Sequence, residues 1–512
     1  MQTSPRVVVI GGGPSGIVAS RYLLGHGFEP TIFETADQLG GQWYSASPNS
    51  GVWPEMRTNT SRVLTRFSDL NYGPGVAMYP RNQEVHAYLL AYAAKFDLLR
   101  RARLNTRVTS LERETGGLGY RVESVTRDAA PETGHYDYAV IASGRFNKPY
   151  IPNVPGLETF SGKAGVTHTF YYKHPEQFRG LRVLVAGCAI SALEIASDLA
   201  MLGAAKVTTS YRRQRYVLPK IVAGVPLDHV LFNRWSACAE DSLPEEARVA
   251  GMKQTLLKIA GSPEQFGALK PHEDVRQAGI SMSQHFLALV AEARITVKPW
   301  IREIAGERVT FADGSSDHFD ALIFGTGYDM NLPYLSKDIR DIIRLDDHGL
   351  DFCDFTFHPE LEHLAFLGMH DQIGSYLPAL ELQARWIAYV WAGLAEMPSK
   401  DEMREGIARH QTVRALRQKQ FLHLMAARFA RRIGADVNIA DFPELQRVLW
   451  FGPLAPASFR LQGPDALPDA AKELVEEAAC FGCVPSPELS PEQVAQLNLL
   501  KKLRSSSERV SL

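Results

Sequence analysis

The apolar run VVVI passes directly into GGGPSG at residues 11–16, and this junction constrains the fold more than any other stretch. The segment RVVVIGGGPSGIVASRYLLGHGFEPTIFE reads as strand, glycine turn, helix, loop and strand. Gly11, Gly13 and Gly16 fill the G-x-G-x-x-G positions. The first allows the tight turn, the second lets backbone approach a diphosphate, and the third lets helix and strand pack closely. A helix N-terminus placed there offers free N–H groups and partial positive charge to phosphates. Glu34 follows Gly16 by 18 residues, where an acid can hydrogen-bond a ribose diol. A glycine turn in an unrelated α/β protein is the competing reading of the loop alone. The ordered strand, loop, helix, strand and acid favour a nucleotide site. LGGQW (residues 39–43) predicts a second close backbone approach to the same ligand by Gly41, Gln42 and Trp43.

A second unit, LRVLVAGCAISALEIASDLAMLGAAKVTTSYRRQR, repeats the pattern with Gly187 at the first position and Ser191 opening the helix. Alanine stands at the second and third positions, Ala189 and Ala192. Gly11 to Glu34 and Gly187 to Ser210 are both 23 residues, which puts Ser210 at the acid's place. Arg212, Arg213 and Arg215 follow. A carboxylate there would repel a 2′-phosphate, whereas serine with arginines would accept one. The second site therefore suits NADP and the first FAD or NAD; a solvated charge run is the other reading of the arginines. Two dinucleotide sites in one chain imply electron traffic, usually between a flavin and a nicotinamide.

The 512 residues exceed one ordinary domain. YDYAVIASGRFNKPYIP and DALIFGTGYDMNLPYL each read as a strand leading into a turn that joins two domains. The second unit, with its RVTFADGS hairpin, thus reads as an insertion within the first. Residues 220–300 carry no legible motif. A helix is expected over 381–394, and a further one where Phe421, Leu424, Met425, Phe429 and Ile433 recur at helical spacing. Arg428, Arg431 and Arg432 flank that stripe, as on a membrane-surface helix or on a solvated face of a core helix. The net charge of −2 gives no reason to expect nucleic acid. No apolar run is long enough for a transmembrane segment, and no secretory signal fits the start, so the expected location is cytoplasmic. Five cysteines make no disulfide framework. Cys480 and Cys483 in CFGC read as a redox pair, half a zinc site or two thiols near a helix end; no metal is expected.

In order along the chain, several stretches resemble the flavin-containing monooxygenases, the class B flavoprotein monooxygenases. They are GGGPSG with Glu34, LGGQW, and MRTNTSRVLTRFSDL with Asn59 at the family's active-site asparagine. EVHAYLLAYAAKFDL is similar to the helix that follows. FSGKAGVTHTFYY resembles the family's identifying motif through Phe160, Gly162, His168 and Tyr172. FGTGYD, ELQARW and FGPLAPASFRLQGP are similar to later family stretches. The resemblance covers roughly residues 5–470. Departures are a longer Gly162–His168 spacing, Ala189, and Gly325 in place of alanine.

The resemblance implies an α/β fold of two dinucleotide-binding, Rossmann-like domains, with a helical C-terminal extension. The expected division is 1–157 and 323–450 for the FAD domain, 158–322 for the inserted NADP domain and 451–512 for the extension. It implies FAD and NADPH as cofactors, and O2 with a small-molecule substrate as partners; a homodimer stays open. The implied reaction is oxygenation of an amine nitrogen or sulfide sulfur through a flavin 4a-hydroperoxide, an N-oxide-forming activity among them. Asn59 would be catalytic. Pro14, Ser15, Thr58, Thr326, Gly327 and Gln383 would join the residues above as cofactor-binding. His168 would order the domain junction and Tyr172 would pack, where Baeyer–Villiger relatives that convert ketones to esters usually carry tryptophan. The other readings are such a Baeyer–Villiger enzyme, an NADPH oxidase and a non-catalytic flavoprotein. A flavin disulfide reductase needs a cysteine pair after the first loop, and GGQWYSAS has none.

Overall fold

The computed structural model describes residues 4–507 except 115, 117 and 417. Two five-stranded parallel sheets organise it. The first has the order Leu364–Phe366, Tyr138–Ile141, Arg6–Ile10, Glu29–Phe33, Ala102–Arg103. The second has the order Ile295–Pro299, Lys206–Tyr211, Arg182–Ala186, Ala321–Phe324, Gly165–His168. The central strands are apolar without alternation because helices and loops cover both faces of each sheet. Val7, Val8, Val9, Val183, Leu184 and Val185 are all fully buried.

All strands of the second sheet fall between the fourth and fifth strands of the first in sequence. The chain leaves through Lys148–Pro149 and returns through Tyr328–Asp329, and these two stretches pair antiparallel. Thr326 Oγ1 donates to the Tyr150 carbonyl at 2.5 Å, and Tyr150 N–H donates to the Gly327 carbonyl at 3.0 Å. The two connections are therefore fastened to each other where they cross.

The helix Pro14–Gly25, which leaves the first glycine loop, packs on Leu377–Trp391. This second helix is buried almost throughout and begins four residues before the expected start. A charged network seals their lower ends. Arg460 pairs with Glu381 at 3.1 Å, and both side chains are at most 3% exposed. Tyr22 Oη donates to Glu381 at 2.6 Å and Ser68 N–H donates to it at 2.8 Å. A buried charge pair is tolerable only when its remaining lone pairs and protons are satisfied in this way.

The stripe at 421–433 forms the helix Leu422–Arg432, with Leu422, Met425, Ala426 and Phe429 in the core. Arg428 and Arg432 pair with Asp354 at 3.6 and 2.9 Å, and Arg431 with Asp241 at 3.1 Å. The core-helix reading holds: its basic face is matched by protein carboxylates. CFGC follows the helix Ala470–Ala479. The Cys480 sulfur accepts from Arg62 at 3.7 Å, and the Cys483 thiol donates to the His229 carbonyl at 3.7 Å. Among the described residues, no helix is long and apolar enough to cross a membrane.

Candidate active site

One cavity of about 890 Å³ reaches both glycine loops. The first loop forms one end. Gly11 has φ +113°, and its N–H donates to the Phe33 carbonyl at 2.9 Å. A β-carbon at Gly11 or at Gly16 would collide with backbone, of Ala142 and Gly11 respectively. Gly41 has φ +57°, and a β-carbon there would lie 2.7 Å from the Gly13 α-carbon. These are the backbone contacts that require glycine. Pro14 begins the helix, no side chain caps it, and Ser15 lines the cavity beside it. Its first-turn N–H groups therefore face the cavity available to an anion.

Glu34 is held rigidly. One carboxylate oxygen accepts from Gly12 N–H and the other from Ala36 N–H, each at 2.8 Å. The oxygen bound by Ala36 also accepts from the Thr35 hydroxyl at 3.1 Å, which leaves the one bound by Gly12 a lone pair for a ribose hydroxyl. Gln42 donates to the Phe146 carbonyl at 3.0 Å, which ties the Gly41–Trp43 turn to the end of the fourth strand.

Asn59 is half-buried and lines the cavity. Its Oδ1 and the Thr58 hydroxyl are enclosed polar atoms with no hydrogen-bond partner. Unpaired enclosed polar atoms are costly, and a ligand in the cavity would relieve both. The turn that presents them is pinned by the inserted domain. Asp228 accepts from Ser61 N–H at 2.7 Å, and His229 Nε2 meets the Ser61 hydroxyl at 2.8 Å. Burial pushes the Asp228 carboxyl up to about 6 and the His229 imidazole down to about 4. The glycine cradle, the fixed carboxylate and the orphaned amide oxygen fit a flavin dinucleotide.

The second loop corrects the sequence reading of Ser210. Gly187 N–H donates to the Ser210 carbonyl at 2.9 Å, as Gly11 N–H does to Phe33. Ala186 pairs with Ser210 as Ile10 pairs with Phe33. Ser210 is thus the counterpart of Phe33, and Tyr211 stands at the acid's place. The offset matched by coincidence, because one extra residue lies between Gly203 and the strand. The Ser210 side chain is fully buried and its hydroxyl donates to the Pro299 carbonyl at 2.7 Å. Tyr211 is no carboxylate either, so the electrostatic argument survives the shift. Arg212 lies over the Trp300 ring at 4.8 Å, and Arg213 donates to the Gln277 carbonyl at 3.1 Å; both are exposed.

The alanines in this loop have a structural account. Ala189 is extended, with φ −91° and ψ 168°, a conformation open to any residue, and it lines the cavity. A β-carbon at Gly325 would lie 2.7 Å from the Ala192 methyl. Gly325 replaces the family alanine where Ala192 replaces the glycine, so the space holds one methyl in either arrangement.

Other expected site residues stand back from the cavity. Ser191 lies in the first turn of the second-loop helix. Thr326 and Gly327 fasten the domain connections described above. Gln383 is fully buried and donates to the Phe355 carbonyl and the Thr356 hydroxyl at 2.8 Å. Its Oε1 accepts from Gly368 N–H at 3.2 Å, and Gly368 lines the cavity beside Ser15. Gln383 therefore acts through that turn. His168 accepts from Phe170 N–H at 3.1 Å and meets Tyr328 edge-on; burial lowers its pKa to about 4, so it is neutral. Tyr172 is fully buried and stacks on Phe178.

Sequence reasoning missed the far wall. Trp235, Leu243, Met252 and Leu256 come from the helices Arg234–Ser242 and Glu245–Ala260 and the turn between them. It also missed Arg145, Lys419 and the Asp228–His229 anchor. No local motif marks them; only the fold brings Arg145 and Lys419 to the cavity and the anchor to the Ser61 turn.

The likeness to known proteins matches this geometry. The rabbit (Oryctolagus cuniculus) dimethylaniline monooxygenase (N-oxide-forming) 2 is 30% identical over 483 residues, 90% of this chain and 89% of that protein. The human flavin-containing monooxygenase 5 is 29% identical over 506 residues, covering 92% of each. The S-allyl-L-cysteine S-oxygenase structure from Allium sativum superposes with a TM-score of 0.63 at 22% identity, over 93% of this chain and 97% of that one. A cyclohexanone monooxygenase with bound ε-caprolactone gives 0.64 at 19% identity, over 85% and 98%. At those identities the two structures speak for the fold alone. The profile of the flavin-binding monooxygenase-like family matches residues 4–481, which include both glycine loops and the Asn59 turn. Fold, loops and profile agree, and the chain belongs to the flavin-binding monooxygenase-like family.

Proposed function

We propose that this family member is an NADPH- and O2-dependent monooxygenase that oxygenates a soft nucleophile, an amine nitrogen or a sulfide sulfur. The balance is NADPH, H⁺, O2 and a sulfide going to NADP⁺, water and a sulfoxide, or the amine equivalent giving an N-oxide. Bound FAD would supply the redox chemistry of oxygen transfer. Gly11, Gly13, Gly16, Gly41 and Glu34 hold it at one end of the cavity, and the second loop with Arg212 and Arg213 holds NADPH at the other. The Asn59 amide orients groups between them by hydrogen bonds without changing charge. The walls exclude water from the reacting atoms. A single observation carries the reading: two nucleotide loops open on one cavity lined by Asn59, whose enclosed amide oxygen is unpaired. A cytoplasmic location is part of the same proposal, to be tested by cell fractionation.

The test is NADPH consumption with methyl phenyl sulfide, N,N-dimethylaniline and cyclohexanone, with product analysis. Sulfoxide or N-oxide equal to the NADPH consumed supports the reading. Ester from the ketone alone would establish the Baeyer–Villiger alternative, and peroxide alone an oxidase. Asn59→Leu removes the amide while keeping similar volume. Oxygenated product per NADPH should fall about tenfold, on the scale of one lost polar contact at a reacting centre, with FAD content unchanged.

A further inference from the structure

The cavity contains more positive charge than the two dinucleotides need. Arg145, Arg215 and Lys419 all line it. Arg145 follows the fourth strand of the first sheet, next to the turn that Gln42 holds. Arg215 follows the second strand of the second sheet and donates to the Ile280 carbonyl at 3.4 Å. Lys419 precedes the short strand Gln420–Phe421, whose Gln420 N–H donates to the Asp371 carbonyl at 2.8 Å. The three cations thus come from separate parts of the chain and converge between the two nucleotide loops.

One carboxylate accompanies them. Asp371 pairs with Arg145 at 3.4 Å. Lys419 is within electrostatic reach of Asp371, Arg215 and Arg145, and among the described residues its ammonium makes no hydrogen bond or ion pair. Its side chain is solvent-accessible, yet desolvation lowers its pKa. Lys419 thus combines an exposed side chain with a place on the cavity lining. Of the other charged lining groups, one lies apart and the rest are engaged by protein. Glu34 is bound by Gly12, Glu240 pairs with Arg248 at 2.8 Å, and Arg107 follows Thr106, whose N–H donates to the Glu34 carbonyl at 2.8 Å, at the first-loop end.

Both dinucleotide diphosphates already have an uncapped helix N-terminus, at Pro14 and at Ile190, and the 2′-phosphate has Arg212 and Arg213. The cations between the loops are therefore in surplus. Beside them stands the apolar wall of Trp235, Met252, Leu256 and Met282. We propose that Lys419 and Arg215 bind the anionic group of the substrate, so that the favoured substrates are apolar sulfides or amines that carry a carboxylate. This rests on the oxygenase reading above and narrows it to a substrate class.

Three sulfides test it: (phenylthio)acetate, its neutral amide 2-(phenylthio)acetamide, and methyl phenyl sulfide. The wild-type holoenzyme should show a KM at least about tenfold lower for the acid than for the amide, the scale of a charge-assisted hydrogen bond. Lys419→Gln and Arg215→Gln should each remove most of that preference, raising KM for the acid at least five times more than for the amide (about half the charge-assisted factor). Asp371→Asn, which removes the competing carboxylate, should lower KM for the acid, a gain that a structural role for Asp371 would not produce. FAD content and the NADPH dissociation constant are measured for each variant. Equal KM for acid and amide in the wild type overturns the inference. So does a loss in the variants that appears in NADPH binding, because the cations would then serve the cofactor. Oxygenation of methyl phenyl sulfide but not the acid sinks the inference and leaves the oxygenase reading standing; oxygenation of none of the three sinks both.

Discussion

Replacing Gly13 by valine yields a folded but colourless protein. The expectation comes from a difference among the loop glycines. Gly11 has a positive φ, and Gly16 abuts the Gly11 backbone, so substitutions there disturb the fold itself. Gly13 is different. Its backbone is extended, with φ −77° and ψ −173°, which a β-branched residue accepts. A β-carbon at Gly13 would meet the Gly41 α-carbon at 3.5 Å, an ordinary contact. The valine γ-methyls would extend into the cavity that Gly13 lines, in front of the uncapped helix N-terminus. They would hold the FAD diphosphate away from those N–H groups. Losing two or more charge-assisted hydrogen bonds weakens binding by about three orders of magnitude. The measurements are flavin absorbance per protein after purification and after reconstitution, with circular dichroism to check the fold. A yellow Gly13→Val protein with full FAD content would refute the assignment of the first loop as the flavin seat.

How much of this was legible in the sequence depends on the range over which each feature is encoded. The first loop is encoded locally: strand, glycines and Glu34 follow one another, and in the structure the Glu34 carboxylate accepts from Gly12 N–H within the loop. The insertion of one sheet within the other was legible because each connection carries its own turn residues. Ser210 was misplaced because counting from glycine to acid assumes equal connections after the helix, and the second unit has one residue more. Gln383 was placed at the cofactor because it belongs to a recognisable stretch; its amide in fact holds the Gly368 turn. The wall at 234–256 was invisible, since residues such as Met252 and Leu256 both line the cavity and pack in a core cluster, and no periodicity distinguishes the two roles. Arg145, Asp371 and Lys419 lie far apart in sequence and meet only after both sheets have formed.

The shift from Ser210 to Tyr211 sharpens the prediction for the second nucleotide. Arg212→Ala with Arg213→Ala should raise KM for NADPH about 100-fold and leave NADH nearly unchanged. Hydrogen bonds to charged groups contribute about 1.5–3 kcal/mol each, and two arginines on one phosphate sum to that factor. Both guanidiniums are placed for this. Trp300 supports Arg212 from one face, and Arg213 commits one donor to Gln277, leaving the rest of its fork for phosphate oxygens. Because both are exposed, the effect should shrink at high salt. Ser210→Ala is the internal control. Its hydroxyl serves the Pro299 carbonyl inside the sheet, so the alanine variant should bind NADPH as the wild type does. Equal losses for NADPH and NADH in the arginine variant would mean that these residues do not meet the 2′-phosphate. A loss in Ser210→Ala as large as that of the arginines would restore serine to the nucleotide and overturn the register equivalence between the two loops.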